Sequence, residues 1–110
     1  MGYARETSLN GGNDMASYPI GTAAVNWVDT SGQVHLRVYS CDGYNIVERC
    51  WDGNGWTDGS FKAQGSAVSA TAWQTGGGLS IRVYCTNDDT TTEYCIDQGG
   101  SWYTGAYTTT

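Results

Sequence analysis

The sequence predicts an all-β chain built from two copies of a four-stranded unit, and three observations predict it. Sixteen Gly against one Pro, with eight Tyr, five Trp and stretches rich in Thr, Ser and Val, favour strands and tight turns over helices. The chain also repeats itself. Leu36-Arg37-Val38-Tyr39 matches Ile81-Arg82-Val83-Tyr84, and Glu48-Arg49-Cys50 matches Glu93-Tyr94-Cys95, both at a spacing of 45 residues. Finally, turn-forming clusters punctuate each copy at short intervals.

The first copy reads as strands over 23–28, 33–41, 45–51 and 56–61, and the second as strands over 68–74, 79–86, 91–96 and 102–107. Between them lie Asp29-Thr30-Ser31-Gly32, Cys41-Asp42-Gly43, Asp52-Gly53-Asn54-Gly55, Gly76-Gly77-Gly78 and Gln98-Gly99-Gly100, where Gly and Asn tolerate the positive φ that hairpins require. Trp56 to Phe61 matches Trp102 to Tyr107 at a spacing of 46, so the second copy has one extra residue in the preceding turn. The units are therefore set at 23–66 and 67–110, with residues 1–22 as an N-terminal extension or leader.

Four antiparallel strands in about 45 residues is the size of a propeller blade. Two blades leave their outer faces wet, so that architecture implies self-association. Two four-stranded sheets packed face to face as a sandwich satisfy the same strand count. The residue pattern by itself leaves both open.

Eleven acids against five Lys and Arg give a net charge of −6, which argues against nucleic acid or an anionic membrane surface as partner. No apolar run approaches the length of a membrane span, so no direct membrane insertion is expected, and the first twenty residues lack the apolar core of a secretory signal. The compartment stays open.

The blocks Leu36 to Tyr39 and Glu48 to Gly59, repeated more loosely as Ile81 to Tyr84 and Glu93 to Gly105, resemble the blade motif of the fucose-binding propeller lectins of fungi and bacteria. The resemblance runs from about Thr22 to Thr110. It implies a six-bladed β-propeller, completed here by trimerisation of a two-blade chain. It implies pockets between adjacent blades that bind L-fucose without a metal ion or other cofactor, so the partners would be fucosylated glycans on glycoproteins or glycolipids.

Carried over by position, Arg37 and Glu48 belong to one pocket with Trp102, and Arg82 and Glu93 to another with Trp51 and Trp56. Ser60 and Ala106 stand where the family has a small residue touching the sugar. Ile96 replaces the indole of Trp51 at the matching position, which makes the Arg37 pocket the less complete one.

These residue types suit a monosaccharide. Arg supplies fixed donors and an ionised Glu supplies acceptors for neighbouring hydroxyls, while Trp offers an apolar plate with little rotamer entropy to lose. A plain cross-strand ion pair between Arg37 and Glu48, worth about 0.2–1 kcal/mol, is the bland alternative that the repetition argues against. Trp27 and Trp73 precede the Arg strands in alternating apolar runs and read as core.

If Arg82 faces Glu93 across its hairpin, Cys95 lies about five residues, or roughly 17 Å, along the strand from the partner of Cys85. Free, buried thiols are therefore expected at Cys41, Cys50, Cys85 and Cys95. Two other functions compete. A glycosidase would need two carboxylates, or a Tyr nucleophile with a carboxylate, and each expected pocket offers one Glu and one Arg. A structural oligomerisation module would form the same trimer without sugar affinity.

Overall fold

The computed structural model of the chain describes residues 18–110. The expectation for residues 1–22 falls mostly outside them. Eight strands follow in order: β1 (Gly21–Val28), β2 (Val34–Cys41), β3 (Asn45–Trp51), β4 (Trp56–Gln64), β5 (Ala67–Thr75), β6 (Gly78–Asn87), β7 (Thr90–Asp97) and β8 (Tyr103–Thr104). They form two antiparallel meanders, β1-β2-β3-β4 and β5-β6-β7-β8. Alternation of apolar and polar residues fixes which face each strand buries. In β6, Ile81, Val83 and Cys85 are buried on one side, while the intervening residues point the other way.

The core lies between the sheets. Val25, Tyr39, Cys41, Ile46 and Phe61 from the first sheet meet Ile81, Val83 and Cys85 from the second. Tyr39, Ile46 and Val83 are fully buried, and burying a side chain of this kind stabilises the fold by about 1.5–3 kcal/mol. Phe61 anchors the junction: its ring packs edge-on against Tyr39, Tyr94 and Trp102. β1 lies against β5, so the sheets approach along their first strands, as blades do.

Several expectations need correction. Arg82 faces Cys95 and Tyr84 faces Glu93, so Arg and Glu lie two residues apart on one face, a diagonal pair. The same holds for Arg37, opposite Cys50, and Glu48, opposite Tyr39. Cys85 therefore faces Thr92 and projects into the core, while Cys95 projects from the other face. All four cysteines are free and buried, and burial pushes the Cys85 thiol up to about 11.

The last strand is shorter than the matching β4. Gly105 still donates its N–H to the Glu93 carbonyl at 2.8 Å, but the Tyr107 N–H turns to the Glu93 side chain at 3.2 Å and the ladder ends. Trp73 is not a core residue, whereas Trp27 is half-buried and packs against the core. Trp73 is 44% exposed, and each indole lies beneath the guanidinium of its own sheet, at 4.9 Å for Trp27 and Arg37 and 5.0 Å for Trp73 and Arg82.

Candidate functional site

A cleft of about 460 Å³ opens between the sheets. Arg37, Glu48 and Ser60 line it from the first sheet, and Ile96 and Trp102 from the second. Five of the residues expected to touch a ligand thus meet in one place.

Glu48 is set by its neighbours. It is 6% exposed. One carboxylate oxygen accepts from the Tyr39 hydroxyl at 2.8 Å and the other from the Phe61 N–H at 3.4 Å. The strand pairing shifts register between Val47 and Arg49, and this bulge turns the Phe61 N–H toward the side chain. Gly59 completes the seat, because a β-carbon there would collide with Oε1, Cδ and Cγ of Glu48. Burial raises the Tyr39 pKa strongly, with the nearby Glu48 charge adding to it, so the hydroxyl remains a donor.

Arg37 is anchored through both terminal nitrogens, with Nη2 donating to Asp52 Oδ2 at 3.4 Å. Its Nη1 donates to the Leu36 carbonyl at 2.8 Å and to Asp52 at 3.0 Å, and its face lies over Trp27. Asp52 also meets His35 Nδ1 at 2.6 Å, and His35 Nε2 meets Asp29 at 2.8 Å. The His35 ring stacks on Trp27, the two nearly parallel with centres 5.0 Å apart. Burial works against an ionised Asp52, yet hydrogen bonds from His35 and Arg37 hold its carboxyl below the usual range. The hydrogen bond to Asp29, followed by that to Asp52, raises the His35 pKa. The bland pairing of Arg37 with Glu48 does not occur; Asp52 takes that role.

The second sheet repeats the arrangement on its outer face. Glu93 accepts from the Tyr84 hydroxyl at 2.7 Å and the Tyr107 N–H at 3.2 Å, and these bonds hold its carboxyl below the usual range. Gly105 is required there as Gly59 is in the first sheet. Arg82 Nη1 donates to the Ile81 carbonyl at 3.1 Å and to Asp97 at 3.1 Å. Its Nη2 and Nε have no acceptor among the described residues. Asp97, held chiefly by the Tyr103 hydroxyl and then by Ser80 and Arg82, sits at about 2.

Trp51 and Trp56 face each other across β3 and β4 on the outer side of the first sheet, with ring centres 5.8 Å apart. Neither they nor Arg82, Glu93 and Ala106 line the cleft. Within one chain the second expected set is therefore divided between opposite outer faces. The residues that sequence reasoning missed are Tyr39, Tyr84, Asp52, Asp97, Gly59 and Gly105. All six pair off at a spacing of 45 or 46 residues, so the repeat held the signal, but the hairpin register that gives them a role did not show in it.

Residues 7–85 match the family described as fungal fucose-specific lectin. The match begins ahead of the first repeat. A fucose-specific lectin of Aleuria aurantia is 33% identical over 91 residues, covering 76% of this chain and 29% of the relative, so the chain spans under a third of that protein. Among solved structures, a fucose lectin from Kordia zhangzhouensis in complex with methyl-fucoside is similar, with a TM-score of 0.73 at 43% identity. That likeness covers 84% of this chain and 68% of the other. A mutant of the Aleuria aurantia lectin in complex with α-methyl-L-fucoside gives a TM-score of 0.63 at 35% identity, covering 83% and 32%. The two meander sheets correspond to propeller-type blades of those lectins, and the chain belongs to the fungal fucose-specific lectin family.

Proposed function

We propose that the chain is a non-enzymatic lectin that binds L-fucose at the ends of glycans, without a metal ion, in clefts between neighbouring sheets. The observation that carries this reading is the meeting of Arg37, Glu48, Ile96 and Trp102 in one cleft. Arg37 and Glu48 supply donors and acceptors for adjacent hydroxyls, and Ile96 with Trp102 supplies the apolar wall for the sugar's C–H face and methyl group. The similar structures hold a methyl-fucoside.

The other two carboxylates of the cleft, Asp29 and Asp97, do not fit the role of a glycosidase acid. Hydrogen bonds led by His35 hold Asp29, and bonds led by Tyr103 hold Asp97, well below the usual range. Neither retains a proton to give to a leaving group, as a glycosidase acid must.

The divided second set supports a ring of copies. One outer face offers Arg82, Glu93 and Ala106, and the other offers Trp51 and Trp56, the two halves of the arrangement seen within the chain. Three copies of two sheets close a six-bladed propeller with six clefts, and such multivalency favours surfaces dense in fucosylated glycoproteins or glycolipids. Isothermal titration with methyl α-L-fucoside, with and without EDTA, tests the sugar and the metal independence. Light scattering is expected to give about three times 11.8 kDa. No heat of binding, or a stable monomer, refutes the corresponding half of the proposal.

A further inference from the structure

One corner of the repeat is exchanged between the two sheets. Gln33 precedes β2 and lies against Gly53, whose added β-carbon would stand 2.8 Å from the Gln33 amide oxygen. In the second sheet, at the common spacing of 45 residues, Gly78 stands in place of Gln33 and Gln98 in place of Gly53. Gly78, at a φ of 117°, leaves the space that the Gln98 amide fills. The corner keeps one glutamine amide in both sheets, but delivers it from opposite sides.

The exchange reverses what the amide has left to offer. Gln33 spends an N–H of Nε2 on the Val34 carbonyl at 2.7 Å. Gln98 instead accepts the Leu79 N–H through Oε1 at 3.1 Å. Its Nε2 has no protein acceptor among the described residues, and Gln98 lines the cleft, as does Gln74, whose side-chain amide has no hydrogen-bond partner among the described residues. Beside them the cleft is walled by Trp27 and Leu79, so an apolar surface adjoins free amide donors. At about 460 Å³ the cleft lies within the range of about 300–1,000 Å³ that takes ligands larger than a single pyranose.

From this we infer that the Arg37 cleft carries a second subsite, in which Gln98 donates to an acceptor oxygen of the sugar to which fucose is glycosidically joined. The inference rests on the fucose seat proposed above. It makes the two classes of cleft differ in reach as well as in wall. The Arg82 class has Gly53 at the position of Gln98 and gains less from a longer ligand.

The test uses the full chain carrying Arg82→Ala, so that only the Arg37 class is read. Affinity for methyl α-L-fucoside is compared with that for α-L-fucosyl disaccharides linked 1→2, 1→3, 1→4 and 1→6. At least one disaccharide is expected to bind about fivefold more tightly than the monosaccharide, the gain of one directed hydrogen bond. Gln98→Glu keeps an acceptor for the Leu79 N–H but removes the donors, and is expected to bring that ratio to about one. Gln98→Ala gives the same ratio by removing the amide altogether. A panel in which no disaccharide exceeds methyl α-L-fucoside overturns the subsite, and an advantage that survives both substitutions overturns the role of Gln98. Absence of any methyl α-L-fucoside binding overturns the fucose seat itself, and the subsite with it.

Discussion

Replacing Gly59 with Ala tests how the carboxylate of the cleft is held. The new methyl group would occupy the space of the Glu48 carboxylate and its γ-carbon, so rotating the far end of the side chain cannot relieve the clash. Glu48 must leave its seat, abandoning the Tyr39 hydroxyl and the Phe61 N–H. Tyr39 has no exposure, and a buried donor left without a partner costs about 1–3 kcal/mol of stability. The sugar loses an acceptor that was charged and fixed, worth about 1.5–3 kcal/mol, which is at least a tenfold loss of affinity for the Arg37 class.

Isothermal titration with methyl α-L-fucoside reads the affinity, and thermal unfolding reads the stability. Gly76→Ala is the control, because nothing lies within 4 Å of a β-carbon there. Tyr39→Phe removes one hydrogen bond without adding volume and is expected to weaken the same class about three- to tenfold. Unchanged affinity in both Gly59→Ala and Tyr39→Phe would refute the argument that this clamp sets the acceptor.

The two classes of cleft differ in their walls, so Arg82→Ala should abolish most tight binding while Arg37→Ala leaves it; the reverse pattern overturns the ranking. Ile96→Trp should strengthen the weaker class by about 0.5–1.5 kcal/mol, read as a narrowing of the gap between classes in the same titration. The His35 pKa is raised in the folded chain above its ordinary 6.5. Its stabilising contribution is therefore complete below about pH 6.5 and lost as pH rises through the raised value. The unfolding temperature should fall across that window and His35→Gln should flatten the fall; an unchanged slope in the variant sinks the assignment.

Much of the fold is legible because its signals are local. The spacing of 45 residues located both sheets, and every strand except β4 and β8 begins and ends within two residues of its expected bounds. The site was legible only as a set of residue types. Whether Arg37 faces Glu48 or lies diagonal to it depends on hairpin register, and the two pairings differ by two residues, a slip that keeps both side chains on the same face and so leaves the alternation unchanged. Trp27 does pack against the core, but Trp73 only looked like core, because alternation marks a face as covered without saying by what, and over both indoles the cover includes a guanidinium. Tyr39 and Tyr84 stood in the repeated block all along, but a tyrosine on a strand reads as packing until the carboxylate opposite it is known.

The division of the second ligand set between opposite outer faces has a thermodynamic consequence. A sugar in the cleft between the two sheets of one chain touches a surface that exists at any dilution. A sugar spanning Arg82 and Glu93 on one copy and Trp51 and Trp56 on the next binds only the assembled form, and by linkage it must tighten the assembly as much as assembly tightens it. In the proposed ring, half of the seats act as ligand-operated fasteners and the other half as spectators. Dilution would thin out the first kind while leaving the second intact, and saturating fucoside would protect the ring against it.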